Sequence, residues 1–277
     1  MSRNARVVDD VVRKLPAAMR HEFILQEIQR RGFVATGEMA ERLAVSEMTL
    51  RRDLDQLADS KRVMRSHGGA VALDPPSRHA IALIEPTLEA REAQKHEAKL
   101  CIAAYALGLI GSCKTVAIDI GSTTLALAQS VGEMPLRVFT TSLRIASALK
   151  NSKVEVYIPS GKIYGTEPSV VGSGTVDFLR NQHFDIAFLG TSGVTENGFY
   201  DYSFEDSDIK RTLIDRSTRA VLLIDDSKLN LTSTTLVARL SAIDDLVCNS
   251  PLPATLHEAC IAAGVQVHIA PSISLKG

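Results

Sequence analysis

The sequence predicts an α/β protein in two parts. A small, mainly helical unit closed by a short β ribbon comes first, then a larger unit of strands and helices around a mainly parallel sheet. Three observations predict this. Apolar residues recur at helical spacing through residues 19–58 and give way to a basic ribbon containing Gly68 and Gly69. Residues 73–87 hold Pro75, Pro76 and Pro86 in mixed polarity, which disfavours regular structure. Beyond them, short β-branched runs alternate with helical patterns, the mark of a parallel sheet flanked by helices. The expected division is a tail over 1–18, a helical unit over 19–72, a linker over 73–87 and an α/β unit over 88–272.

The first helix spans 19–31, with Ile24, Leu25 and Ile28 on one face and Gly32 ending it. Phe33-Val34 is a brief extended piece. Thr36 is the expected N-cap of a second helix, Gly37–Leu43, with Glu38 in its first turn. Ala44-Val45 makes a tight turn, and Ser46 caps a third helix reaching about Ala58. On that helix Leu50, Leu54 and Leu57 form a core stripe. At about 100° per residue, Met48 and Arg52 point away from it, with Thr49 and Arg51 flanking them. Two short helices joined by a tight turn, the second with an exposed Arg face, form a helix-turn-helix. The stretch Lys61–Val71 then reads as a wing whose Arg62, Arg65 and His67 can lie along a phosphate backbone, with Gly68 permitting close approach.

In the larger unit a helix is expected over Glu89–Gly108. Strands are expected at Thr115–Asp119, Arg137–Thr140, Lys153–Pro159, Ile186–Leu189, Ala220–Ile224, Leu246–Cys248 and Gln266–Ile269. Ligands of such sheets lie at the carboxyl ends of strands. The polar residues there are Asp119, Gly121, Ser122, Thr123 and Thr124, then Thr141 and Ser142, then Gly161 and Lys162, then Gly190, then Asp225 and Lys228. The first group, between a β-branched run and a helix, is a turn that directs backbone N–H groups at a helix start, a seat for an anion such as phosphate. Lys228 is the candidate cation. Lys162 also reads as a solvated surface lysine and Asp225 as a cap.

Bulk properties narrow the function further. The 277 residues are 45% hydrophobic and 23% charged, ample for a sizeable core. Net charge is −1 but uneven. Residues 1–73 hold 13 Lys/Arg and 10 Asp/Glu, leaving 18 and 22 of the totals of 31 and 32 for the rest. The basic part, where a polyanion partner is sought, is N-terminal. No apolar run reaches the ~18 residues of a membrane span, and the first residues are not those of a signal peptide. Cys101, Cys113, Cys248 and Cys260 lack CxxC-type spacing and read as reduced thiols of a cytoplasmic protein. The seven His form no HExxH pair, so neither metal nor cofactor is expected.

Val45-Ser46-Glu47-Met48-Thr49-Leu50-Arg51-Arg52-Asp53-Leu54, followed by Arg65-Ser66-His67-Gly68-Gly69-Ala70, resembles the DNA-binding signature of DeoR-family bacterial transcriptional regulators, with Leu50 where that family has Ile. Asp119–Thr124, Phe188–Val194, Lys210-Arg211 and Asp225–Lys228 resemble the family's sensor domain, so the likeness spans about 19–272. Ser142 stands where the family usually has Asn. Ser160-Gly161-Lys162-Ile163-Tyr164 stands where the family commonly has Gly-Gly followed by a downstream Arg, so that Arg is missing or replaced.

The resemblance implies a winged helix-turn-helix and a sensor domain similar in fold to ribose-5-phosphate isomerase and glucosamine-6-phosphate deaminase. The implied function is a repressor of a carbohydrate-catabolism operon, active as a homodimer or higher homo-oligomer on double-stranded operator DNA and modulated by a phosphorylated sugar. Candidate DNA contacts are Thr36, Ser46, Met48, Thr49, Arg51, Arg52, Arg62, Arg65, His67 and Gly68. The implied effector pocket draws on the strand-end residues above, with phosphate on Gly121–Thr124, Lys228 facing the ligand, and Asp119 and Asp225 accepting sugar hydroxyls. The alternative is an active isomerase or deaminase fused to a DNA-binding module. The loop Gly190–Thr195 holds no carboxylate to abstract a proton, which disfavours it.

Overall fold

The structure, a computed structural model, describes residues 16–31, 33–60, 62–66, 68–72, 80–81, 86, 88–165 and 167–272. The chain forms two compact units, 1–82 and 83–277. The expected tail lies outside the described residues except for 16–18. Of the expected linker, 73–87, the structure describes only Pro86 and a two-residue extended segment, Ala80–Ile81.

The first unit contains α1 (Ala17–Arg31), β1 (Phe33–Ala35), α2 (Thr36–Arg42), α3 (Glu47–Asp59), β2 (Val63–Ser66) and β3 (Gly69–Ala72). Its core joins the two stripes the sequence marks, Ile24, Leu25 and Ile28 from α1 and Leu50, Leu54 and Leu57 from α3, to Met39 and Ala40 of α2 and Leu43 at its C-cap. Three strands in the order β1-β3-β2, all antiparallel, close the unit as a wing. A Cβ on Gly69 would lie 2.0 Å from the Val34 carbonyl oxygen, so only glycine lets β3 approach β1 this closely. Ser46 caps α3 by accepting the Thr49 N–H at 3.2 Å. Thr36 is not a cap. The helix already includes it, Ala35 takes the N-cap position without a side-chain bond, and the Thr36 side chain is buried while its N–H donates to the Gly68 carbonyl at 2.7 Å.

The second unit opens with α4 (Leu88–Ala93) and α5 (His96–Ile110), where a single helix was expected. Lys95 between them adopts φ 56°, ending α4. Lys99 reaches back from α5, its ammonium donating to the carbonyls of Arg91 and Gln94, the latter at 2.7 Å. These are carbonyls that the end of a helix leaves without partners. Burial lowers the pKa of Lys99, and Asp225 works against that shift.

The remaining elements are β4 (Thr115–Ile118), α6 (Ser122–Ser130), β5 (Arg137–Phe139), α7 (Leu143–Ala148), β6 (Glu155–Tyr157), β7 (Lys162–Tyr164), β8 (Ser169–Val171), α8 (Ser173–Arg180), β9 (Ile186–Leu189), β10 (Gly193–Thr195), β11 (Gly198–Asp201), α9 (Phe204–Asp215), β12 (Ala220–Ile224), a 3-10 turn (Asp226–Lys228), β13 (Thr235–Ala238), β14 (Asp245–Cys248), α10 (Ala254–Ala263) and β15 (Gln266–Ile269).

Seven of these strands, all anticipated from sequence, form one parallel sheet ordered β15-β14-β12-β9-β4-β5-β6. Both of its faces are buried. Along β9, Ile186 and Phe188 pack with α5, α6 and α7, while Ala187 and Leu189 pack with α8, α9 and α10. That is why its strands read as continuous apolar runs and not as alternating ones. From β4 the chain runs first to one edge and then, through β9, to the other, so the order reverses between β4 and β9. That switch point is where open α/β sheets form their ligand crevice.

Two antiparallel additions were not expected from the alternation of strands and helices. A hairpin pairs β7 with β8, and a second sheet is ordered β10-β11-β13. The Asn197-Gly198 step that turns β10 into β11 is a hairpin signal in its own right.

Candidate functional site

On α3 the exposed face is built by default. With Leu50, Leu54 and Leu57 buried, Met48, Arg51 and Arg52 are left exposed and Thr49 half-buried. Met48 is 60% exposed, far more than its apolar side chain favours in water. Asp53, buried on the other side, is clamped by Arg20, with Nε and Nη2 donating to its two oxygens at 2.8 Å each, so α1 fixes the roll of α3. Arg51 pairs with Glu47 at 3.2 Å, Arg62 with Glu22 at 3.2 Å, and Arg65 bridges the Asp55 carboxylate at 2.9 Å and the Gly69 carbonyl at 2.8 Å. Arg52 has no side-chain hydrogen bond or ion pair among the described residues. Gly68 turns the wing at φ 80°; His67 lies outside the described residues.

The cleft of the second unit lies at the switch point. Gly121 and Gly190 follow β4 and β9 and nearly touch; a Cβ on Gly190 would meet the Ile120 carbonyl at 2.9 Å. Gly121, Ser122 and Thr123 line the cleft together with Gly190, Thr191, Ser192, Asp225 and Lys228. Thr124 lies behind the turn, buried, its hydroxyl donating to the Gly121 carbonyl at 2.9 Å. Thr141, Ser142, Gly161 and Lys162 are not among the lining residues. Thr141 and Ser142 are buried, and Ser142 caps α7 by accepting the Ile145 N–H at 3.3 Å. Gly161 packs on Thr175 and Val171, while Lys162 lies 5.0 Å over the Tyr164 ring at the surface. Asp225 caps the 3-10 turn by accepting the Ser227 N–H at 3.0 Å, so its carboxylate is already engaged.

Five charged residues that sequence reasoning did not place in the site dominate it: Lys210, Asp201, Asp206, Arg91 and Glu167. Lys210, 1% exposed, extends from α9 to the carboxylates of Asp119 at 2.6 Å and Asp201 at 3.0 Å. Asp119 also accepts the Gly190 N–H at 3.0 Å, so it braces the two strand ends through Oδ2, while its buried Oδ1 has no hydrogen-bond partner among the described residues. Burial pushes Asp119 up, to about 7, against the pull of Lys210. Burial works against the Lys210 charge, but the Asp119, Asp201 and Asp206 carboxylates outweigh it and hold the ammonium protonated. Asp206 and Asp201 line the cleft, so acids surround it although the loop Gly190–Thr195 has none.

Arg91 and Glu167 form the second pair. The Glu167 carboxylate is buried, accepts Arg91 Nη2 at 2.7 Å and, through its other oxygen, accepts the Gly121 N–H at 3.1 Å. Burial raises the pKa of Glu167, with Arg91 opposing. A local signal existed for Lys210. It sits beside Ile209 and three residues before Leu213, on the buried stripe of α9, where a lysine must be paired. Arg91 and Glu167 carried none.

A winged helix-turn-helix with an exposed cationic helix, followed by an α/β unit with a polar cleft at its switch point, defines the class: a DNA-binding regulator with a sensor domain. Residues 20–75 match the DeoR-like helix-turn-helix domain and residues 94–250 the DeoR C terminal sensor domain. The chain belongs to the DeoR family of transcriptional regulators.

It is 28% identical over 253 residues to the glycerol-3-phosphate regulon repressor of Escherichia coli (strain K12), covering 90% of this chain and 98% of that one. It is 30% identical over 243 residues to the L-fucose operon activator of Haemophilus influenzae, covering 87% and 95%. Among solved structures, ribose 5-phosphate isomerase A of Methanocaldococcus jannaschii is similar over 49% of this chain and 55% of its own, at 18% identity and a TM-score of 0.38. Among the described residues no helix is long and apolar enough to cross a membrane, and no group of three or more His, Cys, Asp or Glu could hold a metal ion.

Lys210→Met should destabilise the protein by about 3–5 kcal/mol, because it strands Asp119 and Asp201 without a counter-charge. Adding Asp119→Asn should return part of that loss, since the two sites share one interaction. Chemical denaturation of both variants measures this, and wild-type stability of Lys210→Met would refute the pairing as a structural brace.

Proposed function

We propose that this protein binds operator DNA through α3 and the wing, and that the cleft of its second unit binds a phosphorylated sugar or sugar derivative that modulates that binding. The observation that carries the effector half is the Glu167 carboxylate on the Gly121 N–H. A turn that holds one anion on its backbone at a helix start has the geometry to hold another. The DNA half is supported by the exposed Met48 and Arg52 and the half-buried Thr49 on a helix whose roll is fixed by Asp53 and Arg20. In this reading those three face base edges in the major groove, while Arg51, Arg62 and Arg65 meet phosphates after exchanging their acidic partners for DNA oxygens. Ser46 and Gly68 offer backbone and hydroxyl donors at the same surface. Lys228, which lines the same cleft as the turn, neutralises the phosphate or donates to a sugar hydroxyl.

The names of the relatives, one for a glycerol-3-phosphate regulon and one for an L-fucose operon, support control of carbohydrate-catabolism genes. The proposed action is repression, relieved when effector binds the DNA-incompetent arrangement more tightly. A second reading, a sugar-phosphate isomerase or deaminase, is favoured by one observation: Asp119, raised to about 7, stands beside a buried lysine. Turnover of ribose 5-phosphate or glucosamine 6-phosphate by the purified chain would establish it. The pairing of that lysine with two carboxylates supports a structural brace over a catalytic base.

Arg52→Ala should lose about 1–3 kcal/mol of operator affinity and relax base preference at one position, as read by fluorescence anisotropy on operator and single-base variants. Retained affinity and preference would remove Arg52 from the base-reading set.

A single short recognition helix specifies too little sequence alone, so the protein should be at least a dimer on inverted half-sites about one DNA turn apart or a multiple of it. Light scattering that finds only monomer at micromolar concentration, with and without DNA, would contradict this.

Effector should change operator affinity about 5–150-fold, the range of a ~1–3 kcal/mol coupling. Lys228→Ala should weaken that response. An unaltered response would put the ligand elsewhere.

A further inference from the structure

The cleft is charged against the ligand that the proposed function assigns to it. Its lining cations are Arg91, Lys210 and Lys228; its lining acids are Glu167, Asp201, Asp206 and Asp225, with Asp119 directly behind. A phosphate dianion therefore enters a site in which acids already outnumber cations, and like charges in a partly desolvated cleft repel strongly. Most of these acids have fixed work elsewhere. Asp119 and Asp201 hold Lys210, Asp225 caps its turn and faces Lys99 at 3.8 Å, and Asp206 accepts the Ser169 hydroxyl at 3.3 Å.

Glu167 differs. It is the acid seated on the Gly121 turn itself, and its other oxygen occupies Arg91, the lining cation nearest that turn by connection. One carboxylate thus occupies two donors a phosphate there would use, the Gly121 N–H at a helix start and Arg91 Nη2, while Arg91 Nε donates to the Pro86 carbonyl at 3.1 Å.

We propose that Glu167 is a built-in competitor for the phosphate seat: the effector's phosphate takes the Gly121 N–H and Arg91 by expelling the Glu167 carboxylate. The inference rests on the reading of the Gly121–Thr123 turn as that seat. Expulsion removes one of the negative charges the phosphate would otherwise meet and releases the Gly121 N–H and Arg91 Nη2 from it in one event, so phosphate binding and the departure of Glu167 are the same step. It also sets specificity. A neutral sugar offers no anion to replace the carboxylate at Gly121 and Arg91, and leaves Glu167 in place. Because Glu167 leads directly into β8, its departure carries a change to the β7–β8 hairpin.

The probe is inorganic phosphate, titrated calorimetrically into the full-length chain. Glu167→Gln keeps an acceptor for the Gly121 N–H and removes the charge; Glu167→Ala removes both. Each should bind phosphate about tenfold more tightly than wild type, the effect of deleting one like charge at contact. Equal or weaker binding in both makes Glu167 a static brace and overturns the proposal.

Ser122→Asp separates this failure from failure of the seat. It puts a new anion on the turn, so phosphate binding should be lost there if the turn is the seat, whatever Glu167 does. Unchanged binding in Ser122→Asp, or none in any variant, overturns the seat and the competitor together. A measurement on the wild type guards against misfolded variants. Added phosphate should speed hydrogen exchange over Glu167–Val171 while slowing it over Gly121–Thr124. Slower or unchanged exchange over Glu167–Val171, with phosphate bound, overturns the expulsion.

Discussion

The second unit depends on one buried ammonium. Lys210 reaches from α9 to Asp119 at the end of β4 and Asp201 at the end of β11, and Asp119 in turn holds the Gly190 N–H at the end of β9. The ends of β4 and β9 and the neighbouring β11 and α9 thus meet around the Lys210–Asp119 pair at the point where the strand order reverses. Taking a lysine out of water is costly, and the cost is offset only if its partners are close and themselves anchored. Here they are, and the same arrangement fixes the two glycines whose close approach opens the cleft. The remaining site follows from this brace: with β4 and β9 pinned, the Gly121 turn projects its N–H at a set angle.

The helix-turn-helix unit uses the same economy on a smaller scale. The leucine stripe of α3 decides which residues are inside, and the Arg20–Asp53 pair decides the roll of the helix about that stripe. Met48 and Arg52 are exposed as a consequence. The other basic residues of this surface wait in surface ion pairs with Glu22, Glu47 and Asp55, each worth little in water and easily exchanged for phosphate oxygens. Both proposed binding surfaces therefore present cations held by weaker or replaceable acids.

Much of the fold was legible because its signals are local. The leucine spacing of α3, the Ser46 cap and the seven apolar runs of the parallel sheet are properties of short windows, and windows of that length carry helix and strand periodicity. Where the reading missed, tertiary structure overrode it. The helix expected over Glu89–Gly108 breaks at Lys95, and Lys99 satisfies the carbonyls at the break. Thr36 resembles a cap in sequence, yet its N–H is drawn to the wing at Gly68 and its side chain is buried.

The sequence by itself determined the element types, the recognition-helix face and the Gly121 turn, since each depends on neighbours a few residues away. It could not determine which charges meet. Arg91 and Glu167 are 76 residues apart and Lys210 and Asp119 are 91 apart, and no local pattern pairs them. Lys228 stood out because it follows a strand, while Lys210, inside a helix, did not. Only the tertiary structure, by folding β4, β9, β11 and α9 onto one another, decided that the buried lysine would be the brace and that a glutamate would sit on the anion turn.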